Sequence, residues 1–149
     1  MVNETVVVFG ASGFLGSHVA DALSAAGYRV RLFDRSPSPF LKSNQEMIIG
    51  DIMNLDQVIE AAKGTSIVYN FAAIADIDEA NDKPIPTATI NVLGNMHALE
   101  AARVAGARRF VFASSIYVYS ESGSFYRASK QAAERFTETY HERYGLDYS

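Results

Sequence analysis

The sequence predicts a doubly wound parallel α/β sheet, and three observations carry that prediction. Apolar runs of strand length alternate with stretches of helical period, a glycine-spaced turn joins the first strand to the first helix, and 48% of the 149 residues are hydrophobic. Parallel neighbours need helical crossovers, and because these are right-handed the helices cover both faces of the sheet. The length predicts one domain over residues 1–149.

Thr5 to Phe9 is a β-branched run and reads as the first strand. Gly10 to Gly16 is the turn, followed by Leu15, Val19 and Leu23 at helical spacing and by Gly27 as a stop. Arg29 to Asp34 is the second strand. The stretch Arg35-Ser36-Pro37-Ser38-Pro39 after it is an exposed loop, because its prolines lack the amide donors that helices and central strands use. Met47-Ile48-Ile49 is the third strand, and Asn54 with Gln57 three residues later resembles a capping box for a helix that stops near Gly64. Ile67 to Phe71 is the fourth strand. Asp76 to Pro86 is polar with two prolines, after which Ile90, Leu93, Met96 or His97, and Leu99 carry a long helix to Gly106. Phe110 to Ala113 is the fifth strand, Tyr126 to Tyr144 is helical with Gly145 as its stop, and Leu146-Asp147-Tyr148-Ser149 opens a sixth strand.

Composition removes several function classes. Thirteen Lys plus Arg against seventeen Asp plus Glu give a net charge of -4 with no long basic run, which disfavours nucleic-acid and membrane partners. Zero cysteines exclude disulfides, thiolate metal sites and cysteine nucleophiles. Met1-Val2-Asn3-Glu4-Thr5 has no basic export signal, so a cytoplasmic protein is the expectation. His18, His97 and His141 lie scattered over helices without a carboxylate cluster and receive no metal or catalytic role.

The loops after the strands hold the chemistry, since ligands of such sheets bind at the carboxyl ends of the strands. In Gly10-Ala11-Ser12-Gly13-Phe14-Leu15-Gly16, the first glycine permits a tight turn, the second lets backbone amides approach a pyrophosphate, and the third lets the helix pack close. Asp34, eighteen residues past Gly16, suits the ribose hydroxyls of NAD and repels a 2'-phosphate, although Arg35 beside it offsets part of that charge. Asp51 and Ile52 can hold an adenine amino group against an apolar wall; Asp51 reads equally as a turn residue. Tyr126 and Lys130 stand four residues apart on one helical face, about 6 Å along the axis. An ordinary phenol ionises near pH 10, so its use near neutrality needs about 4 kcal/mol of stabilisation, which an ammonium and an oxidised nicotinamide can share. Ser115 in Ser114-Ser115 offers a hydroxyl to a reacting carbonyl or, alternatively, a cap. Asn91, inside an apolar stretch of helix, reads as a satisfied core amide by itself.

Together with Gly50-Asp51-Ile52, Asn70-Phe71-Ala72-Ala73, Asn91-Val92-Leu93-Gly94 and Val118-Tyr119, these motifs resemble the extended short-chain dehydrogenase/reductases, a Rossmann-fold family, and within it NAD-dependent nucleotide-sugar epimerases of the UDP-glucose 4-epimerase type. The resemblance implies Ser115, Tyr126 and Lys130 as the catalytic set. It implies cofactor contacts from Gly10, Gly13, Phe14, Leu15 and Gly16, from Asp34, Arg35, Asp51 and Ile52, and from Phe71, Ala72, Ala73, Asn91, Tyr126 and Lys130. Tyr126 would take a sugar hydroxyl proton while hydride passes to NAD, and the keto sugar would rotate and be reduced from its other face. Ser115 would polarise the carbonyl, and Lys130 would hold the nicotinamide ribose. Dehydratases and decarboxylases of the family place acids directly after the Ser/Thr, where Ile116 and Tyr117 stand here.

Two departures accompany the resemblance. Tyr126 follows Ser115 by only eleven positions, a trimmed loop, and the family's C-terminal substrate lobe is absent, the chain stopping as its sixth strand begins. A ketoreductase or dehydrogenase of the same superfamily and a noncatalytic NAD-binding module stay open as alternatives. The open strand edge is expected to favour a homodimer or other self-association.

Overall fold

The computed structural model describes residues 4–149; the expectation drawn from Met1 to Asn3 lies outside them. Strands β1 (Thr5–Phe9), β2 (Arg29–Asp34), β3 (Gln45–Ile49), β4 (Ile67–Asn70) and β5 (Arg109–Phe112) form one parallel sheet in the order β3-β2-β1-β4-β5. The chain starts at the centre, fills one side and then crosses back to fill the other. The order therefore reverses between β1 and β4, which opens a crevice at their carboxyl ends.

The alternation in β1 decides which face each core residue serves. Val6 and Val8 pack with Leu32 and with Ala20 of helix α1 (Phe14–Ala25), while Val7 and Phe9 pack on the opposite face. That second layer includes Val58 of α2 (Leu55–Ala62) and Leu99 of α5 (Asn95–Ala105), with Val68 and Phe110 from the sheet. These side chains are fully buried, and each valine, leucine and phenylalanine among them contributes about 1.5–3 kcal/mol relative to an exposed position. Helix α6 (Ser124–Tyr144) lies against α5, and its buried positions Tyr126, Ser129, Lys130, Ala133 and Thr137 make one stripe.

Three places differ in detail from the sequence reading. The Asn54 side chain accepts the Gln57 amide, as a capping box requires, but the Gln57 side chain reaches to the Asp51 amide and so ties down the β3–α2 loop. The polar stretch Asp76–Pro86 carries helix α3 (Ile77–Asp82) and most of α4 (Pro84–Ala88), where Asp76 caps the first and Pro84 opens the second. A π-helical segment, Thr89–Gly94, then leads into α5. Third, the last residues form no sixth strand, only a bridge between Phe110 and Tyr148; three backbone hydrogen bonds, two accepted by the Asp147 and Ser149 carbonyls and one donated by the Ser149 amide, tie them to the edge of β5. Among the described residues, no helix is long and apolar enough to cross a membrane, and no His, Asp and Glu cluster could hold a metal ion.

Candidate active site at the sheet's carboxyl edge

The glycines of the first turn are needed for different reasons. Gly10 has φ +75°, and a Cβ there would stand 2.5 Å from the Ala72 amide nitrogen. A Cβ on Gly16 would stand 2.2 Å from the Gly10 carbonyl oxygen, so this position must be bare for α1 to lean on the turn. Gly13 is different: a Cβ there would meet nothing nearer than 3.4 Å, and φ is an ordinary -77°. The chain itself does not require a glycine at that point. Gly13 is the N-cap of α1 and supplies no capping side chain, which leaves open space before the first-turn amides. A pyrophosphate fits such a cradle, and a methyl group would fill part of it.

Beside this turn lies a cavity of about 170 Å³. Gly10, Gly13, Asp34, Arg35, Asp51 and Ile52 line one part, as the sequence reading expects, and Phe71, Ala72 and Ala73 line another. Sequence reasoning missed Phe33, Gly50, Ile74 and Ile90 in the wall. Gly50 stood in the Gly50-Asp51-Ile52 motif without being assigned to the site; a Cβ there would stand 2.5 Å from the Phe33 ring, so the wall needs it bare. Asp34 accepts the Ser12 amide at 3.0 Å and the Ser36 amide at 3.3 Å, which fixes its carboxylate between the glycine turn and the end of β2. Asp51 accepts the Met53 amide through one oxygen, the turn role that the sequence left open, and its other oxygen is available for a ligand. The volume is below the about 300–1,000 Å³ of sites that enclose a whole ligand of drug size, so it suits one end of a dinucleotide.

Phe14 and Leu15 do not line the cavity; their side chains are exposed, and only their backbone amides belong to the cradle. Asn91, expected at the cofactor, spends its side chain inside the fold instead. Its Oδ1 accepts the Ile74 amide at 2.8 Å, and its Nδ2 donates to the Ile74 carbonyl and to Ser129 Oγ.

The residues expected to react, Ser115, Tyr126 and Lys130, stand outside this cleft, around the end of β5. Ser114 and Ser115 follow the strand rather than close it, since the strand ends at Phe112. Ser115 accepts the Tyr117 amide and caps a short 3-10 turn, Ile116–Tyr119, which leaves its hydroxyl proton free to be donated. Ser114 donates to Glu134 at 2.6 Å. Tyr126 is 9% exposed, and its ring meets Tyr117 edge-on at 6.3 Å. Lys130 is 4% exposed, donates to the Ala113 carbonyl at 2.7 Å, and holds its Nζ 5.8 Å from the Tyr126 ring centre. Burial pushes the Lys130 ammonium down to about 8, so it stays mostly charged at neutral pH yet gives up a proton far more readily than a surface lysine. Lys130 therefore stands beside the Tyr126 ring and ties the first turns of α6 to Ala113, two residues before Ser115.

Residues 6–149 match the family model for the NAD dependent epimerase/dehydratase family, and the chain belongs to that family. It is 34% identical over 119 residues to a 3-beta-hydroxysteroid dehydrogenase of Mycolicibacterium neoaurum, covering 74% of this chain and 31% of that protein. It is 32% identical over 166 aligned positions to a UDP-glucose 4-epimerase of Mycolicibacterium smegmatis, covering 96% of this chain and 53% of the relative. That alignment is longer than the chain itself, so the relative carries internal residues that this chain lacks. A UDP-glucose 4-epimerase of Thermus thermophilus, solved in complex with NAD, superposes with a TM-score of 0.87 at 29% identity, covering 97% of this chain and 53% of that one. The chain spans about a third to a half of the length of the curated relatives it matches. The family is NAD-dependent, and the relatives matched here are epimerases and dehydrogenases.

Proposed function

We propose that the chain is the NAD-binding and catalytic half of a nucleotide-sugar epimerase of the UDP-hexose type. The observation that carries this reading is the unexplained bareness of Gly13 over the α1 amides, on the same sheet edge as the buried Tyr126 and Lys130 pair. The adenosine end fits the enclosed cavity, with Asp34 at the ribose and Asp51 with Ile52 at the adenine. NAD, when bound, supplies the acceptor and later the donor of a hydride. Tyr126 takes the proton of the reacting hydroxyl and returns it afterwards. Lys130, kept charged beside the phenol, favours the phenolate, and its ammonium would hold a ribose hydroxyl of the bound cofactor. Ser115 donates to the oxygen on which charge builds as the alcohol becomes a carbonyl.

A second reading, oxidation of a secondary alcohol without the return step, uses the same three residues, and the hydroxysteroid dehydrogenase relative supports it. Turnover separates them: UDP-glucose converted to UDP-galactose with no net NADH supports epimerisation, while stoichiometric NADH supports the dehydrogenase. Tyr126→Phe is expected to cut turnover by about 10²–10⁴-fold and to leave NAD affinity nearly unchanged in calorimetric titration. A fully active variant removes Tyr126 from the mechanism. Self-association belongs to the same proposal, supported by exposed Val104, Phe136 and Tyr144 on α5 and α6, and a monomer in sedimentation at high concentration would dismiss it.

A further inference from the structure

Between the sheet and α6 runs a seam of buried polar side chains that the proposed chemistry does not use: Asn70, Asn91, Asn95, Ser129 and Thr137, all 4% exposed or less. Polar groups so deeply buried are costly unless each is paired, and here each is. Asn70 Nδ2 donates to Asn95 Oδ1 at 2.9 Å, and Asn95 Nδ2 reaches the Ala133 carbonyl and Thr137 Oγ1 on α6. Asn91 grips both the amide and the carbonyl of Ile74, and its remaining donor goes to Ser129 Oγ at 2.9 Å. Ser129 passes its own proton to the Tyr126 carbonyl at 2.8 Å. One end of this chain of bonds, Ile74, is a wall of the cofactor cavity; the other, Tyr126, is the proposed acid/base.

The route through the sequence is poorly suited to hold that relation. The connection from Ser115 is short and enters α6 through two left-handed residues in succession, Gly123 at φ +97° and Ser124 at φ +42°. We propose that Asn91 is a positioning residue that couples the cofactor cavity to the first turns of α6 through Ile74, Ser129 and Tyr126. Filling the adenosine end then steadies Tyr126 and Lys130 before any contact with them is made. The inference rests on reading the cavity as a dinucleotide site.

The test uses ADP, the part of NAD that fills the adenosine end and carries no nicotinamide. Amide hydrogen exchange across residues 126–133 is measured with and without ADP. ADP is expected to slow these amides by about fivefold or more, and Ser129→Ala to abolish the slowing and to weaken ADP by the same factor, since coupling is reciprocal. Ser129→Thr, which keeps the hydroxyl, is expected to restore both, a rescue that simple loss of packing does not give. ADP binding to the parent chain with unchanged exchange in 126–133 would overturn the coupling alone, as would a full response in Ser129→Ala. Failure of ADP to bind the parent chain would overturn the dinucleotide reading and the coupling with it. The parent measurement needs no variant, so it stands even if Ser129→Ala folds poorly.

Discussion

The two ends of the proposed site, one for adenosine and one for the reaction, are built differently. Around the adenosine end, the glycine turn, Asp34 and the β3–α2 loop are held by the backbone and by one another: Ser12 to Asp34, Gln57 to Asp51, and Ala72 closed over Gly10. Around the reaction end, single hydrogen bonds hold the reactive groups, Lys130 on the Ala113 carbonyl and Ser115 under the Tyr117 amide, and the approach to the helix is conformationally strained. Lys130 is also buried at an electrostatic cost. The proposed cofactor end is thus held by mutual hydrogen bonds and close backbone contact, whereas the proposed reaction end accepts instability to keep charged and polar groups poised.

The contrast breaks most visibly at the glycines. Gly16→Ala puts a methyl group into the Gly10 carbonyl and is expected to cost about 3 kcal/mol of stability, read in urea unfolding. Gly13→Ala meets no such obstacle and should unfold like the parent, yet lose NAD affinity by at least about tenfold by displacing a charge-assisted contact. Equal effects of the two changes on stability would mean that Gly13 too is structural.

Lys130→Met tests the reaction end and is expected to stabilise the protein by about 1–3 kcal/mol at pH 7. Because the folded chain holds this proton less tightly than the unfolded chain does, the parent gains stability as pH rises from about 8 to 10.5, so the advantage of the variant should fade over that window. A pH-independent difference would assign the effect to packing.

The smallest expected effect concerns the strained helix start. Ser124→Gly relieves a left-handed conformation at the price of a freer unfolded chain, for a net gain of about 0.5–1 kcal/mol and a melting temperature higher by a few degrees. A loss of stability would mean that the Ser124 side chain supports the turn in a way that outweighs its backbone.

Much of this was legible in the residues. Strand and helix signals are local, because β-branched runs, apolar spacing and glycine stops act within a few residues, and so the five strands and the long helices appear close to where the sequence puts them. The glycine turn with Asp34, and Tyr126 four residues before Lys130, are local patterns as well. Helices α3 and α4 were hidden because a polar, proline-bearing stretch has the same composition whether it caps helices or loops. The role of Asn91 was beyond reach for another reason: its partners Ile74 and Ser129 lie seventeen and thirty-eight residues away. Only the packing of α6 onto the π-helical segment and α5 decides what Asn91 and Asn95 meet. The same holds for Lys130, whose sequence neighbours say nothing of its burial. Local chemistry determined the elements and the cofactor turn of this chain; contacts between distant residues, which no short pattern encodes, decided how its reactive groups are held.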